Sequence, residues 1–113
     1  MEQVNLFDAG KPALPTNLEE AVAYLLPRFS EMEAIVKKYD QDGFVCYCES
    51  HLNGGIGMQI RNELQLWVLS SPLHQWFRAN HHLTHPDDMS RVIIGRIYQV
   101  LKPKEETDQQ ANN

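Results

Sequence analysis

Five histidines (His51, His74, His81, His82 and His85), two cysteines (Cys46 and Cys48), two adjacent aspartates (Asp87 and Asp88) and Arg61 are the residues whose types and spacing could do chemistry. A zinc centre needs three or four ligands converging at tetrahedral geometry. His81, His82 and His85 fall within one turn-like stretch, and no spacing such as H-E-x-x-H is present. The sequence therefore predicts no metal and no cofactor, with the turn histidines in solvent and His85 capping a helix. Cys48 and His51 are three apart and would meet on a helix as thiol and base. Nothing beside them supplies an oxyanion hole or a nucleophile elbow. Gly54-Gly55-x-Gly57 ahead of a helix has the outline of a phosphate loop but lacks its lysine and a clear preceding strand.

Asp87 and Asp88, as neighbours on a helix, diverge by about 100° around its axis. Both fall in a first turn, where the helix dipole favours carboxylates. Acid–base work is thus a weaker account than capping. Arg61, beside Asn62, can make a bidentate bond to a carboxylate. Pairing with Asp87 or Asp88 would lock two helices together, whereas two carboxylates at that site would repel an anionic ligand. No catalytic residue is expected.

The elements that must position these groups are helical. Asn17, with Glu20 three residues on, is a capping-box signature ahead of Leu18, Ala21, Val22, Leu25, Leu26 and Phe29. Pro27 ends or kinks that helix. Ser30 with Glu33 is a second capping box, opening a helix that finishes near Tyr39. Asp40 to Gly43 reads as a turn. Phe44 to Leu52, with its F-V-C-Y-C run, is helical or irregular, since one short strand cannot build a sheet alone. Helix three spans about Ile56 to Leu69, with Ile60, Leu64, Trp67 and Val68 on one face. Ser71-Pro72 and His85-Pro86 each place proline at a first helical position. The last helix carries Met89, Val92, Ile93, Ile97, Val100 and Leu101 and is stopped by Pro103. The fold class expected is all-α: a compact bundle of about five short helices over residues 17–102, a flexible arm at 1–16 and a disordered tail at 103–113.

The chain has 113 residues, enough for a single modest core. No apolar run approaches a membrane span, and the N-terminus lacks the basic and apolar regions of a secretory signal, so a cytoplasmic location is expected. Cys46 and Cys48 are too close for an ordinary disulfide. The formal net charge is −5, but residues 17–102 hold ten acids and eight bases, so much of the acidity sits in the ends. Residues 50–102 are slightly basic, with Arg61, Arg78, Arg91, Arg96 and Lys102 against Glu63, Asp87 and Asp88. Those bases are scattered over several elements, which argues against direct nucleic-acid binding.

I-R-N at 60–62, L-W at 66–67 and H-P-D-D-M-S at 85–90, behind an E-E-A-V-A-Y-L-L opening helix, resemble a family of small helical bacterial and phage domains of unknown function. The resemblance covers roughly residues 16–102. It implies a helical fold and a bacterial, phage or mobile-element setting, singles out Arg61, Asn62, Trp67, His85, Asp87 and Asp88 as a structural motif, and brings no activity.

The arm carries a different signal. Gln3-Val4-Asn5-Leu6-Phe7 resembles the pentapeptide with which bacterial replication and repair proteins dock into the sliding DNA clamp. An extended segment can place Leu6 and Phe7 in an apolar pocket while Gln3 makes orienting hydrogen bonds. The alternative is that Leu6 and Phe7 pack on this protein's own helices. Three functions are therefore in view: a non-catalytic protein-interaction or regulatory module, a clamp-docking accessory factor, and a small enzyme or metal protein using His and Cys. The second predicts that a peptide of residues 1–16 binds a bacterial sliding clamp at micromolar strength, about −8 kcal/mol. Titration should show that binding lost when Leu6 and Phe7 become alanine.

Overall fold

The computed structural model describes residues 14–50, 52 and 54–102. Among these residues the fold is all-α, with six α-helices and one 3-10 turn: α1 Leu18–Phe29, the 3-10 turn Ser30–Met32, α2 Glu33–Lys38, α3 Gln41–Glu49, α4 Ile56–Glu63, α5 Pro72–His81 and α6 Pro86–Leu101. The arm residues before Leu14, including Gln3, Leu6 and Phe7, and the tail from Pro103 lie outside the described residues. Leu14 to Thr16 rest against α1. Pro15 is buried, and the Thr16 amide donates to Glu20 Oε1 at 2.9 Å.

Local signals set most helix starts. The Asn17 side chain accepts from the Glu20 amide at 2.8 Å. Glu20 answers one residue early, bonding Thr16 rather than Asn17. Ser71 and His85 cap α5 and α6, each followed by proline. Pro27 sits within the last turn of α1, which ends two residues later. The Ser30–Glu33 box does not form. The Ser30 hydroxyl donates back to the Pro27 carbonyl at 2.9 Å, and the chain passes through a 3-10 turn before α2.

Two segments differ from the sequence expectation. Asp40 to Gly43 is not a turn but the start of a helix. The Asp40 carboxylate accepts from the Gly43 amide at 2.8 Å, and the helix runs through F-V-C-Y-C to Glu49. Phe44 and Cys48, four apart, point into the core together. The second difference is α4, which ends at Glu63 rather than Leu69. Gln65 takes a left-handed conformation (φ 58°) and breaks the helix without a glycine. The Leu66 amide then bonds the Arg61 carbonyl at 2.9 Å. Leu64 and Leu66 are buried, while Trp67 and Val68 turn outward.

α6 is the central element and touches every other α-helix. Met89, Ile93, Ile94 and Ile97 of its inner face have no exposed surface and pack with Leu25 of α1, Phe44 of α3 and Phe77 of α5 in one core. The Tyr98 hydroxyl donates to the Tyr39 carbonyl at 2.7 Å, tying the end of α2 to α6. No helix among the described residues is long and apolar enough to cross a membrane. Because Asp40 alone starts α3, Asp40→Ala should cost about 1 kcal/mol. A thermal melt should register this as a fall of roughly 4–8 °C, and an unchanged melt would remove the capping role.

Candidate functional site

The most tightly built polar group lies where α3, α4 and α6 meet. Arg61, on α4, is 8% exposed. Its guanidinium donates from one terminal nitrogen to Glu49 Oε1 of α3 at 2.7 Å and to the Ser90 hydroxyl of α6 at 3.0 Å. Ser90 has one proton to give. Glu49 Oε2 stands at 2.7 Å and the Asp87 carbonyl at 3.0 Å. The shorter distance and the charge make the carboxylate the better acceptor. Asp87 Oδ1 sits 3.2 Å from Arg61 Nε, an ion pair without hydrogen-bond alignment. Gly57 gives Glu49 its room, because a Cβ there would overlap the carboxylate.

The structure thus brings Arg61 and Asp87 together and sends Asp88 elsewhere, to Arg91 of its own helix at 3.2 Å. Asn62 is exposed on the outer side of α4. The His85 ring nitrogen accepts from the Asp87 amide at 3.0 Å, and its ring meets Trp67 edge-on at 5.8 Å. Of the two residues that complete the cluster, Ser90 stood in the H-P-D-D-M-S motif with no role assigned to it, and Glu49 carried no sequence signal, standing twelve residues before Arg61 across a glycine break. Gly57, grouped by sequence with a phosphate loop, serves Glu49.

The second construction is the turn between α4 and α5. Leu66, Ser71 and His74 form its buried inner side. His74 is fully buried, and its Nδ1 donates to the Leu66 carbonyl at 2.8 Å. The Ser71 hydroxyl donates to the Gln65 carbonyl at 3.1 Å, and the Gln75 side-chain amide donates to the Leu69 carbonyl. Held this way, Trp67, Val68 and Leu69 stand outward at 52%, 45% and 65% exposure. Three consecutive apolar side chains on a pinned turn form a knuckle. His85 flanks it.

The remaining chemistry candidates do not converge. Among the described residues no group of three His, Cys, Asp or Glu side chains could hold a metal ion. His81 packs against Trp76 and Phe77, and His82 caps α5 in a left-handed conformation. Burial, with the Glu49 charge beside it, pushes the Cys48 thiol up to about 12, so it stays protonated and is a poor nucleophile. His51 lies outside the described residues.

The family described as Domain of unknown function (DUF6794) matches residues 14–101, a span that takes in the cluster, the knuckle and all six helices. The chain belongs to that family. No curated protein and no solved structure is similar to it. What holds the DUF6794 domain together is evident in its own geometry. That geometry makes the Arg61 cluster a fastener between three helices. Arg61→Ala would leave Glu49 buried beside an empty space, and should destabilise the domain by about 3–5 kcal/mol in urea denaturation. The paired change Arg61→Met with Glu49→Met should cost less than the two single changes added together. A loss below about 1 kcal/mol for Arg61→Ala would refute the fastening role.

Proposed function

We propose that this DUF6794 domain is a non-catalytic protein-interaction module whose contact surface centres on Trp67, Val68 and Leu69. The observation that carries this reading is the pairing of exposure with rigidity at the knuckle. Leu69 is the more exposed partner of a fixed backbone, its carbonyl bonded by Gln75. A mobile apolar loop would lose conformational freedom on binding, whereas a turn already fixed by His74 and Ser71 avoids most of that cost. Tryptophan is the residue type most often found carrying interface energy. Neighbouring apolar residues exposed together call for an explanation that scattered ones do not.

The polar cluster supports the same reading from behind. Arg61 is neutralised by Glu49 and Asp87 and buried, so it serves as framework rather than as an open anion site. A regulatory role would follow from what binds the knuckle.

Leu69→Asp and Trp67→Ala test the proposal. Leu69 is 65% exposed and Trp67, beside the His85 ring, 52%, so melting temperature should stay within about 4 °C of wild type, since surface substitutions are usually within about 0.5 kcal/mol. Capture from the native host, quantified side by side, should yield a protein retained by wild type and lost from both variants. Reconstituted binding to that protein should weaken at least tenfold, about 1.4 kcal/mol. Equal retention by all three proteins would move the contact surface elsewhere.

A further inference from the structure

A largely apolar groove of about 660 Å³ runs between α3 and α6, lined by Val45 and Cys46 of α3, Val92 and Gly95 of α6, and Leu18 at the start of α1. Its size is within the roughly 300–1,000 Å³ typical of binding clefts. Two cations, Arg91 and Arg96, and one acid, Asp42, also line it. We propose that this groove receives Leu6 and Phe7 of the chain's own N-terminal segment. The surface is separate from the Trp67 knuckle, and the inference does not rest on the function proposed above.

Tethering is the first argument. Leu14 is the first described residue, and Leu18, four residues on, already lines the groove. Seven steps separate Phe7 from Leu14, a reach of up to roughly 25 Å when extended. The stretch of α6 from Arg91 to Gln99 along the groove is only about 12 Å long. Gly10 and Pro12 lie between and allow the chain to reverse direction. A segment tethered this closely faces its groove at an effective concentration of about millimolar, which a second copy in dilute solution does not reach.

Complementarity is the second argument. Leu6 and Phe7 are an adjacent apolar pair bracketed by two acids, Glu2 and Asp8. The groove offers apolar walls with two arginines against the single acid Asp42. Each arginine holds one acid already, Arg91 with Asp88 at 3.2 Å and Arg96 with Glu19 at 3.1 Å. A guanidinium has five donors, so each retains capacity for a second carboxylate. Seating in this groove would withhold Leu6 and Phe7 from any external partner that reads the same pair.

Cys46 supplies the test, because it lines the groove and is exposed while Cys48, the other cysteine, is buried. In the full chain, Phe7→Cys should form an intramolecular disulfide with Cys46 under mild oxidation at low protein concentration. It should form at least tenfold faster than from Gly10→Cys, and Cys46→Ser should abolish it. In the otherwise unchanged protein, Leu6→Ala with Phe7→Ala should speed maleimide labelling of Cys46 several-fold. Equal disulfide rates from positions 7 and 10 would mean an untethered search rather than a seat, and would overturn the proposal. So would a disulfide found only between two chains, or a Cys46 labelling rate indifferent to Leu6 and Phe7.

Discussion

One buried positive charge organises this domain. A guanidinium removed from water has to be matched where it lies, because an unmatched ion in the interior costs several kcal/mol. Arg61 is matched from two directions at once, by Glu49 of α3 and by Ser90 and Asp87 of α6. Three helices thereby acquire a fixed relation that apolar contact alone would leave free to slide. The same residue's backbone carbonyl receives the Leu66 amide, so the turn that presents Trp67 starts from the fastened point. Trp67 then rests its ring against His85, whose side chain caps the helix holding Ser90 and Asp87. Charge satisfaction inside and apolar display outside are one continuous construction.

The rest of the architecture follows from making α6 the hub. A helix touched by five others needs a wide apolar face, and Met89, Ile93, Ile94 and Ile97 provide it. Where α3 comes closest, bulk has to be given up. Gly95 admits the Gln41 side chain, and a Cβ in its place would come within 2.9 Å of the Gln41 amide nitrogen. A second linkage, outside the core, joins α1 to α4. Glu63 accepts from both Arg28 and the Tyr24 hydroxyl, and the hydrogen bond from Arg28 holds the Glu63 carboxyl below its usual range.

What the sequence made legible was whatever is decided within one turn of helix. Asn17, Ser71 and His85-Pro86 mark helix starts because a cap acts on amides two or three residues away. The last helix showed part of its buried face by period, since Met89, Ile93 and Ile97 are buried while Val100 stands exposed and Ile94 joins them unannounced. Asp40 is ambiguous in the sequence because aspartate opens turns and helices by the same bond to a nearby amide. The aromatic and sulfur residues of F-V-C-Y-C then hid the four-residue spacing of Phe44 and Cys48. The end of α4 was hidden because apolar period continues through Leu64, Trp67 and Val68 while the backbone does not, and Gln65 stands where a glycine would have announced the break. His74 went unrecognised as a core residue because its partner is a backbone carbonyl, which no side-chain pattern reveals. The Arg61 cluster was half visible. Asp87 lay in a conspicuous motif, whereas Glu49 is brought to Arg61 only by the packing of α3 on α4.

The close approach of Glu49 to Gly57 binds the histories of two positions. An alanine at 57 would ordinarily be absorbed by swinging a long side chain aside, but the Glu49 carboxylate is held by Arg61 and Ser90 and has nowhere to swing. A larger residue at 57 is therefore admissible only after position 49 has lost its reach, and a shortened residue at 49 strands the arginine unless position 61 changes as well. Positions 49, 57 and 61 should drift as a set, so that a DUF6794 sequence lacking the glycine is expected to lack the glutamate–arginine pair too.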